Sequence, residues 1–125
     1  MAILGLGTDI VEISRIEQSL ARSPRLIERV LTAEEQAIYA AHAQPARYFA
    51  KRFAAKEAAA KALGTGIGRG ISFQHFNTRN DEAGRPVLEL TGAAAELAAS
   101  LGLRHTWLSI SDEQAFAMAT VILES

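Results

Sequence analysis

The chain of 125 residues contains no cysteine, which removes a disulfide framework, a thiol nucleophile and any thiolate metal site. Long apolar runs are missing as well: no stretch approaches the roughly 20 apolar residues that a membrane-crossing helix needs. The opening MAILGLGTDIVE has no basic leader and only a short apolar run, which argues against a secretory signal peptide. These absences fit a reducing cytoplasm. Excess charge is also lacking, since 13 Lys and Arg against 14 Asp and Glu leave a net charge of -1. Such balance argues against general nucleic-acid binding and makes any anion site a local one.

What remains is an ordinary globular composition, 49% hydrophobic and 22% charged. The length suits one domain over residues 1–125, large enough to bury a core. Ala2–Leu6 reads as a short buried strand, broken by Gly5 and Gly7 just before Asp9. Two capping boxes, Ser14 with Glu17 and Thr32 with Glu35, predict helices starting near residues 14 and 32; Pro24 ends the first. Pro45 precedes a helix predicted over 47–63, which Gly64 closes. Beyond the glycine loop 64–70, strands are expected at 71–78, 86–90, 106–111 and 115–123. A short helix over 92–101 lies among them. Helices mixed with mostly antiparallel strands make the expected fold class α+β.

The charges collect on one helix. RYFAKRFAAKEAAAKALG, residues 47–64, carries Arg47, Lys51, Arg52, Lys56 and Lys61 against the single acid Glu57. Like charges four residues apart mildly destabilise an isolated helix, so the pattern suggests a polyanion site. Glu57 and Lys61 are also spaced for a plain helical ion pair. Asp9, after its strand and glycines, serves equally as a turn residue. Together, however, Asp9 and Glu57 can supply two hard oxygen ligands. Mg²⁺ is typically held by one or two carboxylates with substrate phosphates and water; Glu12 could add a ligand, but three residues beyond Asp9 it better suits the position preceding or capping the first helix.

Other features are weaker. Neither glycine run fits a dinucleotide or P-loop pattern, because Arg69 and Ile10 fall where a glycine is required and no Gly-Lys-Ser/Thr follows. His42, His75 and His105 share no ligand spacing and read as surface or packing residues. Trp107, Phe116 and Met118 read as core residues of the terminal hairpin. Arg15, Arg22 and Arg25 form a basic face that is either solvated or receives an acidic partner.

Two segments read together resemble a known family. Gly7-Thr8-Asp9-Ile10-Val11-Glu12 is similar to the G-x-D motif of the 4′-phosphopantetheinyl transferases. Phe53-Ala54-Ala55-Lys56-Glu57-Ala58-Ala59-Ala60-Lys61-Ala62-Leu63-Gly64 resembles their F-[AS]-x-K-E-[AS]-x-x-K-A motif. Length and element order resemble those of the small bacterial members from end to end. The resemblance implies holo-[acyl-carrier-protein] synthase activity. In that reaction 4′-phosphopantetheine passes from coenzyme A to a serine of apo-acyl carrier protein, releasing adenosine 3′,5′-bisphosphate in support of fatty acid biosynthesis.

By the same resemblance Asp9 and Glu57 would bind Mg²⁺, and Lys61 would contact the diphosphate and protonate the leaving group. Arg52 and Lys56 would meet the phosphate-rich end of coenzyme A, with Gly64, Thr65 and Gly66 allowing close backbone approach. Arg15, Arg22 and Arg25 would receive the acidic carrier protein. The implied fold is a mostly antiparallel sheet packed on a long helix, assembled as a homotrimer with coenzyme A sites at subunit interfaces. Two positions depart from the family pattern. Val11 stands where larger single-chain members have a second acid, and Ser111-Asp112 stands where many small members have Ser-His. A non-catalytic coenzyme A-binding module and a scaffold docking acidic proteins are the competing readings. The former leaves the carboxylate pair without a purpose, the latter the whole second motif.

Overall fold

The computed structural model describes residues 1–125. Strand β1 (Ile3–Glu12) leads into helices α1 (Ile13–Arg22), α2 (Leu26–Val30), α3 (Ala33–Ala41) and α4 (Pro45–Ala62). A 3₁₀ turn at Phe73–His75 precedes β2 (Phe76–Asn80) and β3 (Pro86–Leu90). Helix α5 (Gly92–Leu101) then leads to β4 (His105–Asp112) and β5 (Phe116–Glu124). The order β1-β5-β4 forms one antiparallel sheet, and β2-β3 is a separate hairpin. The α+β class read from the sequence is the one observed.

The core follows from the alanine content of α4. Ala54, Ala55, Ala58, Ala59, Ala60 and Ala62 are buried in one cluster with Val121, Leu123 and Ala119 of β5, which also takes in Ala94 and Ala98 of α5. Small side chains let backbones approach closely, and β1 comes closest of all. A Cβ at Gly7 would overlap the carbonyl of Ala58, and one at Gly5 would overlap that of Ala62. These glycines therefore do not break the strand. β1 runs unbroken through both to Glu12, and Asp9 lies within it, paired with Ala119 of β5. The sequence signal was that of a turn; the physical cause is helix-on-strand contact.

Alternation along β1 sends Gly5, Gly7 and Asp9 toward α4, and Leu6, Thr8 and Ile10 away from it. The outward face is apolar: Leu6, Ile10, Trp107, Phe116 and Met118 are each between 40% and 63% exposed. Trp107, Phe116 and Met118 are thus surface residues of the hairpin, contrary to the core role expected for them.

Helix ends match their chemistry unevenly. At α3 the capping box is complete: Thr32 Oγ1 accepts from the Glu35 amide while Glu35 Oε1 accepts from the Thr32 amide. At α1 it is not formed, and the helix starts at Ile13 with no side-chain cap. Gly64 follows α4 with φ 84°, the left-handed geometry expected of a residue closing a helix. Pro24 lies between α1 and the short α2, a helix not foreseen. Residues 71–75, expected as strand, form a bridge and a 3₁₀ turn because Ser72 caps it through its hydroxyl.

Candidate functional site

Asp9 of β1 and Lys61 of α4 meet at 3.0 Å, and the Lys61 ammonium also donates to the Thr8 carbonyl at 2.9 Å. The Asp9 side chain is only 16% exposed and Lys61 is half exposed, so the pair spans the boundary between core and solvent. Asp9 Oδ1 is thereby satisfied, but Oδ2 is buried with no hydrogen-bond partner. An ionised oxygen without a partner costs on the order of a few kcal/mol, and it marks a place where a cation would be welcome.

Glu57 supplies the second carboxylate. It sits one turn before Lys61 yet forms no ion pair with it. Burial raises its carboxyl above the usual glutamate range, the nearby Asp9 charge raises it further, and Lys61 opposes both. Two carboxylates close enough to repel, one with an orphaned oxygen, fit a divalent cation with oxygen preference. No third acid or histidine joins them, so phosphate and water would complete the shell. Glu12 lies three residues along the strand, on the other face from Asp9, and pairs with Arg15 at 3.4 Å.

A second region lies elsewhere on α4. Arg47, Tyr48, Lys51 and Arg52 line an open pocket of about 570 Å³ with Arg79 and Asp112. The Arg52 guanidinium stacks over Tyr48 at 4.8 Å, and its Nε is buried without a partner. At about 100° per residue, Arg52 and Glu57 are separated by roughly 140° around the helix. The two sites therefore open in different directions.

The 4′-phosphopantetheinyl transferase superfamily model matches residues 5–121. The chain belongs to this family. A holo-[acyl-carrier-protein] synthase from Vibrio vulnificus is 58% identical over the full length of both chains. The crystal structure of a Neisseria meningitidis holo-[acyl-carrier-protein] synthase superposes with TM-score 0.93 at 38% identity, covering 99% of this chain and 100% of that one. A Bacillus anthracis holo-(acyl-carrier-protein) synthase, solved in complex with CoA (3′,5′-ADP), reaches TM-score 0.83 at 39% identity, covering 98% and 97% of the two chains. The chain is an enzyme, a phosphopantetheinyl transferase of the holo-[acyl-carrier-protein] synthase kind.

Within this transferase the expected site residues fall into three groups. Asp9, Glu57 and Lys61 are brought together. Gly64, Thr65 and Gly66 follow directly, where the Thr65 and Gly66 amides both donate to the Ala60 carbonyl and close the helix. A side chain at Gly64 or Gly66 would meet open space. Arg15, Arg22 and Arg25 are exposed on and just after α1, and Arg29 of α2 extends the basic surface beyond what the motifs marked.

Lys56 is the correction. Although it lies beside Glu57 in the motif, it is fully buried. Its ammonium donates to the carbonyls of Val30, Phe73 and Phe76 and pairs with the equally buried Glu35. Burial pulls its pKa down, Glu35 pushes it back, and Arg52 lowers it again. With every proton engaged and no exposed surface, Lys56 cannot reach coenzyme A; it ties α4 to α2, α3 and β2. Glu35, read from the sequence only as a cap residue, completes this anchor through Oε2, which accepts from the Thr78 amide and hydroxyl.

Proposed function

We propose that the chain transfers 4′-phosphopantetheine from coenzyme A to a serine of apo-acyl carrier protein, with Mg²⁺, releasing adenosine 3′,5′-bisphosphate. The reading rests on one observation above all: a largely buried Asp9 with an orphaned oxygen, beside a Glu57 whose carboxyl is pushed up by burial and by Asp9. A module that merely binds coenzyme A gains nothing from that arrangement.

Asp9 and Glu57 would hold the metal. When bound there, Mg²⁺ supplies charge neutralisation for the diphosphate and for the departing phosphate. Lys61 does the rest from this chain. Its half-exposed ammonium is steadied by Asp9 and the Thr8 carbonyl, and it would contact the diphosphate. The serine hydroxyl gives up its proton to water as its oxygen bonds to the β-phosphorus and the bond from that phosphorus to the bridging oxygen breaks. Lys61 can then donate a proton to the leaving phosphate. Arg52, deprived of any carboxylate partner, is the cation that suits the phosphate-rich end of coenzyme A.

The domain reading extends over 1–125 as one catalytic unit, working in the cytoplasm as a homotrimer. No helix is long and apolar enough to cross a membrane. Two features support assembly. The apolar outer face of the β1-β5-β4 sheet is larger than a lone exposed residue would require. The angle between Arg52 and Glu57 also suits a cofactor that meets the carboxylates of one subunit and the arginine of the next. The basic residues Arg15, Arg22 and Arg25 would steer an acidic carrier protein and fix its orientation. A role in fatty acid biosynthesis follows from that carrier.

The test is a mass measurement on apo-acyl carrier protein incubated with the chain, coenzyme A and Mg²⁺. The carrier is expected to gain one phosphopantetheine group. An unchanged carrier mass with folded enzyme would overturn the proposal.

A further inference from the structure

The basic pocket on α4 contains a carboxylate of its own. Asp112, at the end of β4, receives Arg47 Nη1 on Oδ2 at 2.9 Å and lies 3.5 Å from the Lys51 ammonium through Oδ1. Arg47 is anchored there twice more, by the carbonyls of Glu113 and Gln114 at 2.7 and 2.9 Å. Lys51 has no other acidic partner. The remaining arginine at the rim, Arg79, is paired with Glu34 and Glu89. Among the guanidinium and ammonium groups lining the pocket, Arg52 alone faces it without a carboxylate. Arg52 is only 6% exposed, and no hydrogen bond satisfies its buried Nε.

We propose that Asp112 sets the affinity of this pocket for a phosphate monoester: as a resident anion it competes with the ligand phosphate for Lys51 and Arg47, and so keeps the nucleotide product loosely held. The inference rests on the coenzyme A reading given above. An incoming phosphate at Arg52 meets one uncompensated cation, three cations already paired (Arg47, Lys51 and Arg79), and a carboxylate that repels it. Burial opposes ionisation of Asp112, yet Arg47 and Lys51 hold its carboxyl below the usual range, so the anion is firmly in place. Without Asp112, Lys51 is freed, and Arg47 stays in position through its two carbonyl contacts. The pocket would then bind phosphate with Arg52, Lys51 and Arg47 instead of Arg52 alone, Arg79 staying with its own carboxylates.

The experiment is calorimetric titration of adenosine 3′,5′-bisphosphate into the intact protein, as wild type, Asp112→Asn and Asp112→Ser, at low and high salt. Both variants are expected to bind roughly five- to tenfold more tightly, the scale of one unit charge at close range in a partly solvated site. They should also lose more affinity on adding salt, because more exposed cations take part. In steady-state transfer, kcat and the KM for coenzyme A should fall together as product release slows. Equal or weaker binding by both variants would overturn the inference and make Asp112 a residue that merely positions Arg47. Absence of binding by all three proteins would overturn the coenzyme A reading, and this inference with it.

Discussion

Lys61 pairs with Asp9 across two elements at 3.0 Å and passes over Glu57, its neighbour one turn back on the same helix. The motif spacing that suggests a routine helical ion pair instead leaves a glutamate free and an aspartate half-satisfied. Removing the ammonium should therefore harm chemistry most and weaken folding as well. For Lys61→Met the expected loss in kcat is about 10²- to 10³-fold, the range for a donor that meets developing charge. Unfolding free energy should fall by about 1–3 kcal/mol, because the Asp9 carboxylate, only 16% exposed, loses its one side-chain partner. A mass-based transfer assay and urea denaturation check the two halves.

Glu57→Gln should abolish transfer while making the protein more stable at neutral pH. The folded carboxyl binds its proton more tightly than the unfolded one, since burial and Asp9 raise its pKa. Stability from this group is thus present at low pH and lost as pH rises through the raised folded value. The amide carries no such loss. Thermal melts without metal should show the mutant about 1–3 °C higher at pH 7, with the gap closing as pH falls below the ordinary glutamate range.

Gly7→Ala tests the contact that sets the site. A methyl group there overlaps the Ala58 carbonyl, which belongs to the helix backbone and cannot turn aside. β1 must lift from α4, carrying Asp9 with it. The expected cost is about 1–3 kcal/mol, measured by denaturation, with transfer impaired at temperatures where the protein is still folded.

The sequence displayed the reactive residues more clearly than their surroundings. Asp9, Glu57 and Lys61 stood out because their types and spacing are chemical requirements. Lys56 misled, since a charge in a helical motif does not reveal which way the helix faces. The partner that buries it, Glu35, looked like an ordinary cap residue. Gly5 and Gly7 were visible, but a glycine that admits a helix and one that turns a chain are written alike. Arg47 and Lys51 had no assigned purpose until the β4–β5 turn brought Asp112 to them over more than sixty positions of chain.

Breaking the Lys56–Glu35 anchor on one side should be costly. Lys56→Met leaves a buried, uncompensated carboxylate and three carbonyls without a donor. A loss of about 3–5 kcal/mol is expected. The double variant Lys56→Met with Glu35→Gln should recover part of it, and an equilibrium double-mutant cycle measures the coupling.

Charge reversal at Arg15 and Arg22 should raise KM for the carrier protein several-fold and leave KM for coenzyme A nearly unchanged. These side chains are exposed and do not line the basic pocket on α4. Complementary surface charge acts mainly on encounter, so the effect should shrink as salt is added. Initial rates at two ionic strengths make the comparison.

The central claim is that β1 and α4 are held together so that Asp9 and Glu57 form one metal site. Calorimetric titration of Mg²⁺ into the coenzyme A-loaded protein, as wild type and Glu57→Gln, tests it most directly. One Mg²⁺ per chain is expected for the wild type, and at least a tenfold loss of affinity for the folded variant. Equal Mg²⁺ binding by the two proteins would contradict it.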